Sequence, residues 1–195
     1  MPFKVQIFLE NVDCYTEGQT REKLRQECEL YSTLTTPIQK THCIQRLMEI
    51  LDRGVEEGER KKIMQACGRR CITASTLARA RRLKHIAQNV DDLLGQLNEA
   101  HIGGGHLRRE GALIHAAYDR CYCGSVSQAK ERFSPTYCQC SCGWYRQLFE
   151  TLLSEPVEVE LLSSILQGHE RCQFLIRTGN NSTIAEETNS PPLLK

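Results

Sequence analysis

The chain is 195 residues long and carries 25 lysines and arginines against 24 aspartates and glutamates, a formal net charge of +1. So small a charge argues against a dedicated nucleic-acid or membrane-surface protein, and 40% hydrophobic with 25% charged residues excludes a disordered, collagenous or coiled-coil chain. Cysteine is the unusual residue: there are 11, an odd count, so at least one thiol cannot pair within the chain.

Near the N-terminus the apolar stretch Val5 to Leu9 is interrupted by Gln6 and stopped by Glu10. It is too short for the core of a signal peptide and lacks a small-residue cleavage site. No run approaches the roughly 18 apolar residues of a membrane helix. The expectation is a cytoplasmic chain in a reducing compartment, where thiols stay free or bind metal. From Thr41 to Val55, Ile44, Leu47, Met48, Leu51 and Val55 recur at three- and four-residue spacing, which predicts a helix with one buried face. A second helix is expected from about Glu59, with Ile63, Met64 and Cys67 on its stripe. A third is expected over Val90 to Ala100, burying Val90, Leu93, Leu94 and Leu97.

The pattern then changes. His101-Ile-Gly-Gly-Gly-His106 reads as a flexible turn, with a lid over a pocket as the sharper alternative. Gly111 to Tyr118 is short, apolar and bounded by glycine and charge, which predicts a strand. Trp144, Leu148, Phe149 and Leu152 mark one more helix. Val157-Glu-Val-Glu-Leu161 alternates strictly, and so does Cys172-Gln-Phe-Leu-Ile-Arg177 after the turn signal Gln167-Gly-His-Glu170. These two runs predict an antiparallel hairpin whose inner face is Val157, Val159, Leu161, Cys172, Phe174 and Ile176. From Thr178 onward the composition predicts a disordered tail. Helices first and strands later indicate an α+β fold: N-terminal helices packed on a small antiparallel sheet, with a C-terminal helix and β-hairpin. The chain divides into an N-terminal helical segment, 1–58, a cysteine-rich ligand- and metal-binding part, 59–177, and the tail, 178–195.

The cysteines carry the chemistry. Cys67 and Cys71 lie one helical turn apart. Cys121 and Cys123 follow the first strand, and Cys138, Cys140 and Cys142 precede a helix; in extended backbone such alternate residues point the same way. Cys172 begins the last strand, whereas Cys14, Cys28 and Cys43 stand alone. Thiolates are soft ligands, and four of them satisfy the tetrahedral preference of zinc at about 2.3 Å. The metal candidates are therefore Cys67, Cys71, Cys121, Cys123, Cys138, Cys140 and Cys172. Zinc is the expected ion, with an iron–sulfur or thiol-redox centre as the alternative, and buried apolar packing of free thiols as the bland reading.

The run Cys138-Gln-Cys-Ser-Cys-Gly-Trp144, then Leu148-Phe-Glu150, Pro156-Val-Glu-Val159, Ser164-Ile-Leu-Gln-Gly168 and Cys172-Gln-Phe174, resembles the vinyl-reductase-type, hydrocarbon-binding domain superfamily. The resemblance is to its cysteine-rich members, some of which are named L-2-amino-thiazoline-4-carboxylic acid hydrolase, and it covers about Cys67 to Arg177. It implies helices packed on an antiparallel sheet with a small-molecule pocket between them, and it allows a homodimer. It also implies a zinc set in which Cys138 and Cys172 are matched, while a further cysteine falls at Ser164 and a glutamate at Leu161, next to Glu160. The implied set is thus broken, and Cys121, Cys123, Cys140, Cys67 or Cys71 would have to complete it.

Tyr118 and Trp144 are candidates for lining an apolar pocket. His115, on an otherwise apolar strand, is a candidate for ligand contact or general-base work. The stretch from Glu59 to His85 is strongly basic and suits a phosphate, a carboxylate or RNA, or else a solvated helix face. No interleaved aromatics support nucleic-acid stacking. The leading expectation is a small-molecule-binding domain with a structural thiolate–zinc site and a small organic ligand. The alternative is a hydrolase opening a thiazoline-carboxylate-type ring, with Cys121, Cys138 and His115 as its catalytic candidates.

Overall fold

The computed structural model describes residues 3–126, 129 and 132–179. Six helices come first: α1 (Val5–Tyr15), α2 (Gly18–Thr33), α3 (Pro37–Gly54), α4 (Glu57–Arg69), α5 (Ala74–Ile86) and α6 (Val90–Glu99). Strands β1 (Arg108–Glu110) and β2 (Leu113–Tyr118), helix α7 (Pro135–Leu153), and strands β3 (Glu158–Ser163) and β4 (Cys172–Arg177) follow. The α+β expectation holds. The helix expected from Thr41 starts at Pro37, because Thr36 and Gln39 form a reciprocal capping box and proline takes the first helical position. Asn89 caps α6 by accepting from the Asp92 N–H.

The sheet is antiparallel throughout, in the order β1-β2-β4-β3. The expected hairpin is its β3–β4 half. Cys172, Phe174 and Ile176 are buried, and Val159 and Leu161 are half-buried on the same side. The first expected strand, β2, pairs with β4 so that Ala116 faces Phe174 and Tyr118 faces Cys172. The disordered tail expected from Thr178 lies, beyond Gly179, outside the described residues. Among the described residues no helix is long and apolar enough to cross a membrane.

One expectation is corrected. Cys138, Cys140 and Cys142 are not in extended backbone before a helix; they lie inside α7. Ser134 caps that helix, its hydroxyl accepting from the Thr136 N–H, and Pro135 stands at the first helical position. In a helix successive residues rotate by about 100°, so a two-residue spacing does not align thiols. Cys142 is buried with Tyr145 and Leu148 in the sheet-side core, whereas Cys138 belongs to the core of the N-terminal helices.

Helices α4 and α7 touch backbone to backbone. A Cβ on Gly68 would lie 1.8 Å from the Cys140 carbonyl oxygen, and one on Gly143 would lie 1.9 Å from that of Gln65. Beside this seam Arg69 clamps Glu150 with two bonds, at 2.6 and 2.8 Å, and Gln65 donates to Gln139 at 3.1 Å. Two cores result. One holds Phe8, Leu24, Ile44, Leu47, Ile63 and Tyr137 of the N-terminal helices and the start of α7. The other holds Leu93, Leu97, Ile114, Tyr145, Phe149 and Phe174 between α5, α6, α7 and the sheet.

The glycine run after α6 is a packed turn. Gly103, Gly104 and Gly105 all take positive φ (83°, 90° and 82°). A Cβ on Gly104 would meet the Ala117 carbonyl oxygen at 2.2 Å, and the buried Tyr145 hydroxyl donates to the Gly103 carbonyl at 3.0 Å.

Candidate functional site

A cavity of about 300 Å³ opens between the end of α4, the start of α7 and the sheet. Its walls come from segments far apart in sequence. Helix α4 and the turn after it supply Met64, Cys67 and Cys71. The connection after β2 supplies Cys121, Tyr122 and Cys123. Helix α7 supplies Tyr137, Cys138, Cys140 and Trp144, and β4 opens with Cys172. Phe3, Ile102, Tyr118 and Leu166 add to the apolar lining. All seven cysteines singled out from the sequence therefore border one space, together with Tyr118 and Trp144. His115 does not border it: this residue sits on β2, half-buried, with Nε2 3.3 Å from Glu110. Cys28 and Cys43 are buried in the N-terminal core, and Cys14 is exposed.

The rings are mutually supported. Tyr118 stacks on Tyr145 with centroids 5.4 Å apart and meets Phe174 edge-on at 5.3 Å, while Trp144 meets Tyr145 edge-on at 5.4 Å. Such pairs hold ring planes in fixed orientations, which gives the wall a defined shape.

Burial sets the state of the sulfurs. It pushes Cys67 and Cys138 up to about 12, in Cys138 against the lowering effect of Ser164, and it raises Cys71, Cys121 and Cys140 as well. A thiol desolvated in this way keeps its proton at neutral pH, so these five sulfurs present soft, uncharged surface to the cavity. Cys138 and Cys172 both approach the fully buried Ser164 hydroxyl, at 2.9 and 4.0 Å, and the Ile165 N–H donates to the Cys172 sulfur at 3.3 Å. Cys123 lies 2.8 Å from the buried Tyr137 hydroxyl. Among the described residues no three Cys, His, Asp or Glu side chains stand close enough together to hold a metal ion.

Sequence reasoning missed part of the lining. Tyr137 adjoins Cys138 in the chain but carried no spacing signal. Lys4, Thr73, Thr76, Arg79 and His101, which complete the rim, come from three separate stretches of the chain. Arg79 was visible only as one member of a long basic stretch.

No curated protein is similar enough to the chain to be matched. Among solved structures the chain is similar to a trafficking protein particle complex subunit 3 from Naegleria fowleri covalently bound to palmitic acid, at 12% identity over 72% of this chain and 93% of that one, with a TM-score of 0.48. It is also similar to the phenol-responsive sensory domain of the transcription activator PoxR with phenol, at 15% identity over 74% of this chain and 75% of that one, with a TM-score of 0.42. Residues 3–183 match the family of unknown function DUF6144, and the chain belongs to that family.

Proposed function

We propose that the chain is a small-molecule-binding module whose ligand seats, through an apolar body, in the thiol- and ring-lined cavity. The observation that carries this reading is the gathering of seven thiols with Tyr118, Tyr137 and Trp144 around one space of about 300 Å³, with no aspartate or glutamate among the described residues of its lining. Concave sites lined mainly by apolar and aromatic groups, with few polar ones, are where small ligands bind. Buried thiols act as small, polarisable apolar groups that pack against aliphatic or ring surfaces.

Trp144 is the only tryptophan in the chain and lines the cavity, so its emission reports occupancy directly. Titration with the neutral, transparent probes cyclohexylmethanol and 1-adamantanemethanol is expected to change that emission saturably at one ligand per chain. Melting temperature should rise with it, since at a hundred dissociation constants of ligand the added stability is about 2.7 kcal/mol. If neither probe moves emission or melting temperature, the binding reading fails.

The same convergence of sulfurs supports a second reading, a structural zinc site. The donors fit a soft ion in kind, and a bound cation would supply the positive charge that lets buried thiols ionise. Cys138 and Cys172 both approach the Ser164 hydroxyl, and among the described residues no three donors stand close enough for an ion. Coordination would thus require other sulfurs of the wall to move inward. On this reading protein purified without chelator carries zinc and melts lower once stripped. A metal-free sample with an unchanged melting temperature would remove zinc and leave the ligand pocket standing.

A further inference from the structure

Resting on the binding reading above, we propose that the ligand is an organic anion, with its apolar body among the rings and thiols and one carboxylate at the rim against Arg79 and His101. The charges around the cavity point one way. Apart from thiols and tyrosines, the described ionisable side chains that line it are Lys4, Arg79 and His101. Two of these are permanent cations at neutral pH, and among the described residues no carboxylate in the lining offsets them.

Arg79 is the arginine of the cavity lining, and most of its donors are uncommitted. Several other arginines are held by carboxylates, among them Arg69 by Glu150, Arg171 by Asp119 and Arg177 by Glu160. Arg79 makes one hydrogen bond, to the Ala100 carbonyl oxygen at 3.3 Å, and no described carboxylate lies within ion-pair distance of it. A guanidinium carries five N–H donors in a planar fork that matches the two oxygens of a carboxylate. One bond to a carbonyl leaves most of that fork open. Lys4 likewise donates to a carbonyl, that of Arg70, at 2.7 Å.

The backbone places these groups. Thr73, Thr76 and Arg79 follow at three-residue spacing, from the cap of α5 into the helix, and so lie along one side of it. The Arg79 bond to Ala100 brings the guanidinium beside the next residue, His101. That histidine closes α6 in a Schellman-type turn: its own N–H bonds the Asn98 carbonyl, and the Ile102 N–H bonds that of Leu97 at 2.9 Å. The position is left-handed, with φ of 53°, a conformation that histidine adopts more readily than most side chains. This turn sets the imidazole at the edge of the cavity, next in sequence to the carbonyl that holds Arg79.

The experiment compares matched pairs that differ only in the head group: cyclohexanecarboxylate with cyclohexylmethanol, and 1-adamantanecarboxylate with 1-adamantanemethanol, each read by Trp144 emission. The carboxylates are expected to bind on the order of tenfold more tightly than the alcohols, as for a charge-assisted bidentate contact at a partly exposed site. Arg79 is exposed and bonds only a carbonyl, so Arg79→Gln will fold. In that variant the carboxylates and alcohols should bind within about twofold of each other, with alcohol binding unchanged. Alcohols that bind as tightly as carboxylates to the unmodified chain, or a carboxylate preference that survives Arg79→Gln, would overturn the anion assignment while leaving the small-molecule pocket intact. Failure of all four probes would take both down.

Discussion

Gly143→Ala is expected to cost about 3 kcal/mol or more of folding stability and to abolish ligand binding in whatever remains folded. The added Cβ would sit 1.9 Å from the Gln65 carbonyl oxygen, and backbone cannot swing aside as a flexible side chain does. Helices α4 and α7 would have to separate, which would break the Arg69–Glu150 clamp and the Gln65–Gln139 bond together. The same two helices carry Cys67, Cys138, Cys140 and Trp144, so the cavity wall would part with them. Gly68→Ala should behave alike, because its Cβ would meet the Cys140 carbonyl oxygen at 1.8 Å. Gly95→Ala is the control. Gly95 lies within α6, and a methyl group there would meet nothing within 4 Å, so alanine should add about 0.5–1 kcal/mol through helix propensity alone. Urea midpoints of the three variants decide the matter. A Gly143→Ala protein as stable as the unmodified chain would show that the two helices are not in backbone contact.

The second large effect is alkaline. Cys28, Cys67, Cys138 and Cys142 are each pushed up to about 12 by burial, and Cys43 to about 11 by burial and its bond to Glu27. In the unfolded chain a thiol loses its proton near 8.5. Below that pH both states hold their protons, and the fold has its full stability. Above it the unfolded state releases protons that the folded state keeps, so stability falls by about 1.4 kcal/mol per thiol for each further pH unit until the folded thiols ionise in turn. Several thiols acting together would consume an ordinary stability of about 5–15 kcal/mol within roughly two units. The chain, kept reduced, should therefore unfold cooperatively by about pH 10, with thiolate absorbance rising in step with the loss of circular dichroism. Native dichroism persisting well above that pH, or thiolate appearing while the fold is intact, would show that the sulfurs are not desolvated as the structure has them.

Local pattern carried the helices of residues 37–69 and 90–99, the strands β2 and β4, and the β3–β4 hairpin, because each buries one periodic face. What escaped the pattern has weak faces. Strand β1 is three exposed residues, and α2 buries only Leu24, Cys28 and Tyr31 in an otherwise polar stretch. The start of α7 was encoded in Ser134-Pro135, but the closely spaced cysteines after it suggested extended backbone instead. At the site, clustering is visible in one dimension, and the seven cysteines it singles out all border one cavity. That they border a cavity, and that Arg79 and His101 line it with them, depends on helix packing and on a left-handed turn. Neither leaves a mark in residue spacing.

Helix α7 belongs to both cores: Tyr137 and Cys138 lie in one, and Cys142, Tyr145, Leu148, Phe149 and Leu152 in the other. An axle shared in this way ties the two halves into one cooperative unit. Neither half can melt while its neighbour stays native without stripping α7 of one end of its packing. The amides in the middle of that helix are consequently the ones whose exchange with solvent waits for the whole molecule to open.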